Sequence, residues 1–295
     1  MRLGLALPTV DIHANRAARL DELARRAEAA ESIGFESIWV MDHYFTERDG
    51  VRRGALEPMV TLAFLAARTS RLRLGTLVLC NGFRDAGQLA REAAALADAS
   101  GGRFVLGLGA GWHQPEYDAF GIPFTNRVSR LEETLTVLPG LLAGDRVDHS
   151  GRFVRLAGAG IPVTAGAPPI WIAANGDRML DLVAAHAQGW NVAWHGESPA
   201  AFAEAAGRLQ AALDRAGRPP SEVEVSVGVF VCPDPDLDSQ GGRVITGDAA
   251  WIAGRLRAYE AAGAETVITT LSIAPFTELD ESYPERMREV LAELG

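Results

Sequence analysis

The sequence predicts an α/β protein built as a (β/α)8 TIM barrel. Three observations carry this. Eight short apolar runs alternate with eight long Ala/Leu/Arg/Glu segments. The apolar runs are nearly continuous rather than alternating, as strands covered on both faces are. The 295 residues suit one barrel of roughly 250 residues plus insertions, and no change of composition marks a linker, so residues 1–295 read as a single domain.

In order, strands are expected at about 2–7, 36–41, 72–79, 103–108, 169–174, 189–193, 222–231 and 265–271. Helices are expected at about 16–33, 58–69, 86–100, 126–142, 176–187, 198–216, 246–262 and 280–294. In the first helix, Leu20, Leu23, Ala24, Ala27 and Ala30 recur with helical spacing, and Gly34 stops it. The third strand is the run Arg73-Leu74-Gly75-Thr76-Leu77-Val78-Leu79. Asp248 suits the acidic start of the seventh helix. A dinucleotide-binding doubly wound sheet does not fit: Gly107, Gly109 and Gly111 alternate, and the position that would close a GxGxxG motif is Gln114. The surplus segment 143–168 is a short excursion between the fourth helix and the fifth strand. It reads as a hairpin, Arg146–His149 with Phe153–Leu156 around Ser150-Gly151.

Composition removes several functions. All 28 basic residues are Arg, which excludes lysine Schiff-base chemistry and a Walker A loop. The net charge of −10 opposes nucleic-acid and anionic-membrane partners. The apolar stretch at Met1–Pro8 is too short for a signal peptide. Cys80 and Cys232 form no CxxC pair, so a structural zinc site is not expected and a reducing cytoplasm is the default.

A barrel places its chemistry at the C-terminal ends of its strands. Asp42-His43 ends the second strand, where a histidine can exchange protons near neutral pH or simply bond backbone. Ala174-Asn175-Gly176-Asp177-Arg178 passes from strand into helix. Free N–H groups, a glycine and an arginine there suit a phosphate. Gly107-Leu108-Gly109-Ala110-Gly111-Trp112 offers a small-residue floor with an aromatic edge, which suits a flat ligand and equally a tight barrel interior. Trp194-His195 follows the sixth strand, Cys232 the seventh and Ser272 the eighth. His43, His113, Glu116, Asp42 and His195 contain metal-ligand types but no HxH or HExxH spacing, and no GxSxG elbow occurs. His13, His149 and His186 read as structural or solvated.

These residues resemble the luciferase-like monooxygenase superfamily, and within it the coenzyme F420-dependent oxidoreductases. The resemblance rests on Gly34–His43, Leu74-Gly75-Thr76, Ser100-Gly101-Gly102-Arg103, Leu106–Trp112, Glu116, Gly121–Phe124, Arg130–Glu133, Pro168–Ala173 and Gly189-Trp190-Asn191. It implies hydride transfer between a reduced cofactor and a small organic substrate, with the cofactor ring in the barrel mouth. His43 matches the histidine next to the reactive carbon, and Asp42 a cofactor-contacting aspartate. Cys80 stands where relatives carry a contacting Thr. Ala110 and Gly111 match backbone contacts, and Ala174, Asn175, Gly176, Asp177 and Arg178 the phosphate turn. A non-proline cis peptide would fall at Leu77–Val78. Trp112, Glu116 and Trp194 would line the substrate pocket. Trp112 stands where sugar-phosphate dehydrogenases of the family carry a Glu acid/base, so that chemistry is not expected unless Glu116 points inward.

Coenzyme F420 is the expected cofactor, because Arg52, Arg53 and Arg84 could meet its carboxylate tail. FMN, with oxygen as co-substrate, is the alternative. A metal-dependent barrel hydrolase or isomerase and a non-catalytic flavin-binding barrel are the competing classes. The resemblance also implies a homodimer.

Overall fold

The computed structural model describes residues 1–11, 14, 16–48, 50–161, 166–270 and 282–295. Eight parallel strands close on themselves: β1 Arg2–Ala6, β2 Ser37–Val40, β3 Arg73–Thr76, β4 Phe104–Gly109, β5 Ile170–Ala173, β6 Gly189–His195, β7 Glu224–Cys232 and β8 Thr266–Thr270. Each strand pairs with the next in sequence, and β8 returns to β1 in the register Arg2↔Thr266 to Leu5↔Thr269. The surrounding helices are α1 Leu20–Ile33, α2 Pro58–Ala66, α3 Ala86–Ala99, α4 Gln114–Ala119, α5 Arg127–Ala143, α6 Asp177–His186, α7 Ala200–Ala216, α8 Ala249–Ala261, α9 Tyr283–Arg286 and α10 Arg288–Leu294. No described helix is long and apolar enough to cross a membrane.

Side-chain alternation divides the strands between an outer core under the helices and the barrel interior. Ile38 and Val40 pack outward under the helices, while Trp39 and Met41 point into the barrel. Trp39 and Trp171 fill the interior with ring centroids 4.8 Å apart. The neighbouring strands must be small to admit them: a Cβ on Gly75 would lie 2.2 Å from the Trp39 ring, and one on Gly189 2.2 Å from Trp171 Nε1. The glycines in these strands are therefore packing partners of the two tryptophans.

The end opposite the strand C-termini is closed by hydrogen bonds to backbone. Arg103 donates to the carbonyls of Ser100, Leu72, Ala66 and Thr69 at 2.8–3.1 Å. Glu31 accepts from the amides of Ser70, Arg71 and Leu72 at 2.6–3.1 Å. The Ser100–Arg103 motif is thus a fastener of loops.

The first helix is shorter than the pattern suggests. Val10–Asp11 pairs antiparallel with Arg16–Ala17, so α1 starts at Leu20. Arg19 stays extended, with its amide on Glu22 Oε2 at 3.1 Å. The third strand is interrupted: Leu77–Val78 is a cis peptide, and Leu79–Cys80 then pairs with Leu108–Gly109. Ala193–Trp194 is also cis. The hairpin Phe45–Arg48 with Val51–Gly54, and the six-residue α4, lie in stretches with no expected element. The excursion is a hairpin as expected, Val147–Ser150 against Arg155–Ala159. Glu133 holds its turn through the amides of Arg152, Phe153 and Val154. His13 and Ser272 lie outside the described residues, as do 280–281 at the start of the last expected helix.

Candidate active site

β2 ends at Val40 and delivers Met41, Asp42 and His43 to the rim. Asp42 Oδ2 accepts from the Cys80 amide at 2.9 Å and from Arg84 Nη1 at 2.5 Å. Arg84 also reaches Glu57 Oε1 at 2.7 Å and lies 3.6 Å from Glu92. Burial pushes the Asp42 carboxyl up, opposed by Arg84 and the Cys80 amide. Burial opposes the charge on Arg84 as well, but Asp42 and Glu57 outweigh it and raise its pKa. Arg84 is therefore charged and already paired within the rim, 11% exposed, where the sequence suggested it for the carboxylate tail. Arg52 lies over the Phe45 ring at 3.9 Å, on the neighbouring hairpin.

The centre of the site is Glu116, 1% exposed. It points inward from the first turn of α4. Its Oε1 accepts from the amides of Tyr44 at 2.5 Å and Phe45 at 3.3 Å. Its Oε2 lies 3.0 Å from His43 Nδ1 and 3.2 Å from His113 Nδ1. Burial raises the Glu116 pKa, but His43 and the two amides outweigh it, so the carboxyl sits below its usual range. His113 stands three residues before Glu116, one helical turn away. That spacing was the available signal for their pairing, which sequence reasoning missed. Of the metal-ligand types at the strand ends, these three come together. Asp42 is committed to Arg84, and His195 packs edge-on to Phe202 and Tyr259, its pKa lowered by burial.

Asp42, His43 and Glu116 face a cavity of about 740 Å³ in the barrel mouth. Leu77, Val78, Cys80, Ala110, Gly111, Trp112, Asn175, Gly176 and Trp194 also line it. The wall after β4 is tight: a Cβ on Gly111, whose φ is +81°, would lie 2.2 Å from the Tyr117 hydroxyl. That hydroxyl donates to the Ala110 carbonyl at 3.0 Å and lies 2.9 Å from Cys80 Sγ. Burial pushes the Cys80 thiol up to about 11, so it stays protonated. Trp112 stands at the mouth, 68% exposed, with its ring edge-on to His43 at 5.8 Å. Trp194 stacks on Phe230 at 5.3 Å. Tyr117, Phe230, Met179 and Arg243 also line the cavity and were not singled out in sequence. Nothing local distinguishes them from core or surface residues.

The turn after β5 splits. Asn175 and Gly176 face the cavity, and Gly176 caps α6 without a side-chain partner for its free amides. Arg178 turns away, 2.6 Å from Glu132 Oε2 and 2.8 Å from Ser129 Oγ, and Asp177 pairs with Arg208 at 2.6 Å. Ala174 is buried beneath the turn.

The residues present fit a flat cofactor with an anionic tail. The cavity volume is in the range that holds such ligands, its wall is glycine-lined, and uncapped amides lie at one edge.

Comparison with known proteins agrees. The model of the luciferase-like monooxygenase family matches residues 1–265. The 5,10-methylenetetrahydromethanopterin reductase of Methanolobus tindarius is 34% identical over 218 residues, 74% of this chain, and the matched region spans only 63% of that reductase. The F420-dependent glucose-6-phosphate dehydrogenase of Nakamurella multipartita is 30% identical over 268 residues, 88% of this chain and 77% of its own. An F420-dependent secondary alcohol dehydrogenase, solved with an F420–acetone adduct, shares the fold with a TM-score of 0.85. It is 16% identical, over 100% of this chain and 99% of its own. The chain belongs to the luciferase-like monooxygenase family.

Proposed function

We propose that this chain is an oxidoreductase that uses coenzyme F420 to exchange a hydride with a small organic alcohol or carbonyl compound. The observation that carries the reading is the His43–Glu116 pair at 3.0 Å, set in the mouth of the barrel. The F420-dependent glucose-6-phosphate dehydrogenase relative supports the choice of cofactor. When bound, that cofactor supplies a two-electron hydride donor or acceptor.

The chain's residues position the reactants and manage one proton. In this reading Glu116 Oε2 accepts from His43 Nδ1, and Nε2 is the nitrogen that exchanges a proton with substrate. A neutral imidazole accepts the proton of a substrate hydroxyl; the imidazolium donates it to a developing alkoxide. Glu116 holds the His43 ring in place through Nδ1. Leu77, Val78, Ala110 and Gly111 would wall the ring, and the turn Ala174–Arg178, with its amides at Asn175 and Gly176, would hold the cofactor phosphate. Asp42 and Cys80 fix the rim of the ring pocket. Trp112 and Trp194 make the substrate side aromatic, which favours an apolar substrate over a sugar phosphate. Glu116 is inward but engaged with two amides and two imidazoles, so it acts through His43. The chain acts as one domain, in the cytoplasm and as a homodimer.

The test is side-by-side titration with F420 and FMN, followed by turnover of His43→Ala. F420 should bind more tightly, and the variant should lose about 10²–10⁴-fold in turnover with cofactor affinity little changed. Preference for FMN would replace the cofactor in this reading. Equal loss of binding and turnover would make His43 a cofactor-positioning residue.

A further inference from the structure

We infer that His43, His113 and Glu116 form a binding site for a single divalent transition-metal ion of the zinc type, and that filling it disables His43 as a proton carrier. The three donor atoms lie within 4.8 Å of one another. Both imidazole Nδ1 atoms approach the same oxygen, Glu116 Oε2, at 3.0 and 3.2 Å. Zinc holds such ligands at about 2.0–2.2 Å in a tetrahedron, which separates neighbouring donors by roughly 3.3–3.5 Å. The two nitrogen–oxygen contacts need to open by a few tenths of an ångström, and the two imidazole nitrogens, within 4.8 Å of each other, settle to the same spacing by rotation of the rim residue His113. Two histidines and one carboxylate leave a fourth position, the composition of an open zinc site.

A second observation is independent of the spacing. His113 Nδ1 is buried and makes no hydrogen bond, although Oε2 is 3.2 Å away. At that distance the contact fails on angle rather than on length, and an ion held by both atoms would satisfy the nitrogen. The outer support is also in place, because Glu116 Oε1 is held by the Tyr44 and Phe45 amides.

Ligation through Nδ1 requires each imidazole to carry its proton on Nε2, and an imidazolium must release one proton on binding. The ion and the proton-transfer role therefore exclude each other. The metal site and the proton-transfer role share His43, so the inhibition rests on the proposed function, whereas the metal site itself does not depend on which cofactor fills the cavity.

The experiment titrates metal-free full-length protein, without cofactor, with Zn²⁺ by calorimetry and with Co²⁺ by visible absorption. One ion per chain and a tetrahedral Co²⁺ spectrum are expected. His113→Ala and Glu116→Gln should each weaken binding at least about tenfold. His149→Ala, whose imidazole lies 3.9 Å from Glu133, should bind as wild type. Thermal melts establish that each variant is folded, and His113, at the rim, is the truncation least disruptive to the fold. Wild-type affinity in His113→Ala overturns the inference, and so does binding that follows His149. In a second arm, Zn²⁺ added to the F420-loaded enzyme should abolish turnover and EDTA should restore it. Turnover that persists with the site filled overturns the inhibitory role. Absence of turnover in every sample would instead count against the proposed function, and the metal titration would still stand.

Discussion

The two ends of the barrel each use a charged side chain to bind loop backbone, and they use it differently. At the N-terminal end, the half-buried Arg103 donates to four carbonyls from the segments Ala66–Leu72 and Ser100. At the C-terminal end, Glu116 gives one oxygen to the Tyr44 and Phe45 amides and turns the other to His43 and His113. Arg103 is saturated by structure. Glu116 is only half so, and its remaining oxygen serves side chains at a cavity. A polar group fully occupied by backbone contributes to stability; one divided between backbone and an open pocket keeps an oxygen for the groups at that pocket.

Three substitutions test that contrast. The largest effect is expected from Arg103→Ala, which leaves several carbonyls without their donor. It should destabilise the fold by about 3 kcal/mol in urea denaturation, with cofactor affinity unchanged. A loss under about 1 kcal/mol would mean that water replaces the guanidinium, and the two ends would no longer differ in kind.

Glu116→Gln comes next and should act on function before stability. It keeps the shape of the side chain but removes the anion facing two imidazoles. Turnover should fall about 10–100-fold. The same residue sets an acid dependence. Its folded pKa is depressed, so its contribution to stability is complete above the usual carboxylate value of about 4.3 and is lost as pH falls through the folded value. Between those two values the wild type should lose stability more steeply than Glu116→Gln. Coincident acid-denaturation curves would show that Glu116 gains nothing from its partners.

The smallest effect is expected from Arg178→Ala. This side chain is 58% exposed and its partner Glu132 is similarly open. Surface pairs of that kind contribute about 0–1 kcal/mol, and cofactor affinity should move by less than about threefold. A tenfold loss would show that Arg178 leaves Glu132 to meet the phosphate, as its place in the turn suggests.

The barrel was legible because strands covered on both sides leave continuous apolar runs, as in Phe104–Gly109. The hairpin at Phe45–Gly54 was not, because Thr46, Glu47 and Arg52 break the alternation that marks a strand. The short α4 was not, because six residues including Pro115 hold too few turns to show a period. Its Glu116 and His113 lay in plain view as a polar cluster after the fourth strand, without a sign of what they faced.

The sequence by itself determined the eight-fold repeat, the catalytic face and the residues delivered to it, among them His43, Gly111 and Gly176. Those follow from local periodicity and from where apolar runs end. Only the tertiary structure decided the partnerships: Glu116 with His43 across 73 residues, and Asp42 with Arg84 across 42. It also turned Arg178 outward and Glu116 inward. Periodicity records which face of an element is buried. Which side chains meet across the rim depends on the spacing between strand ends, and closure of the barrel sets that spacing.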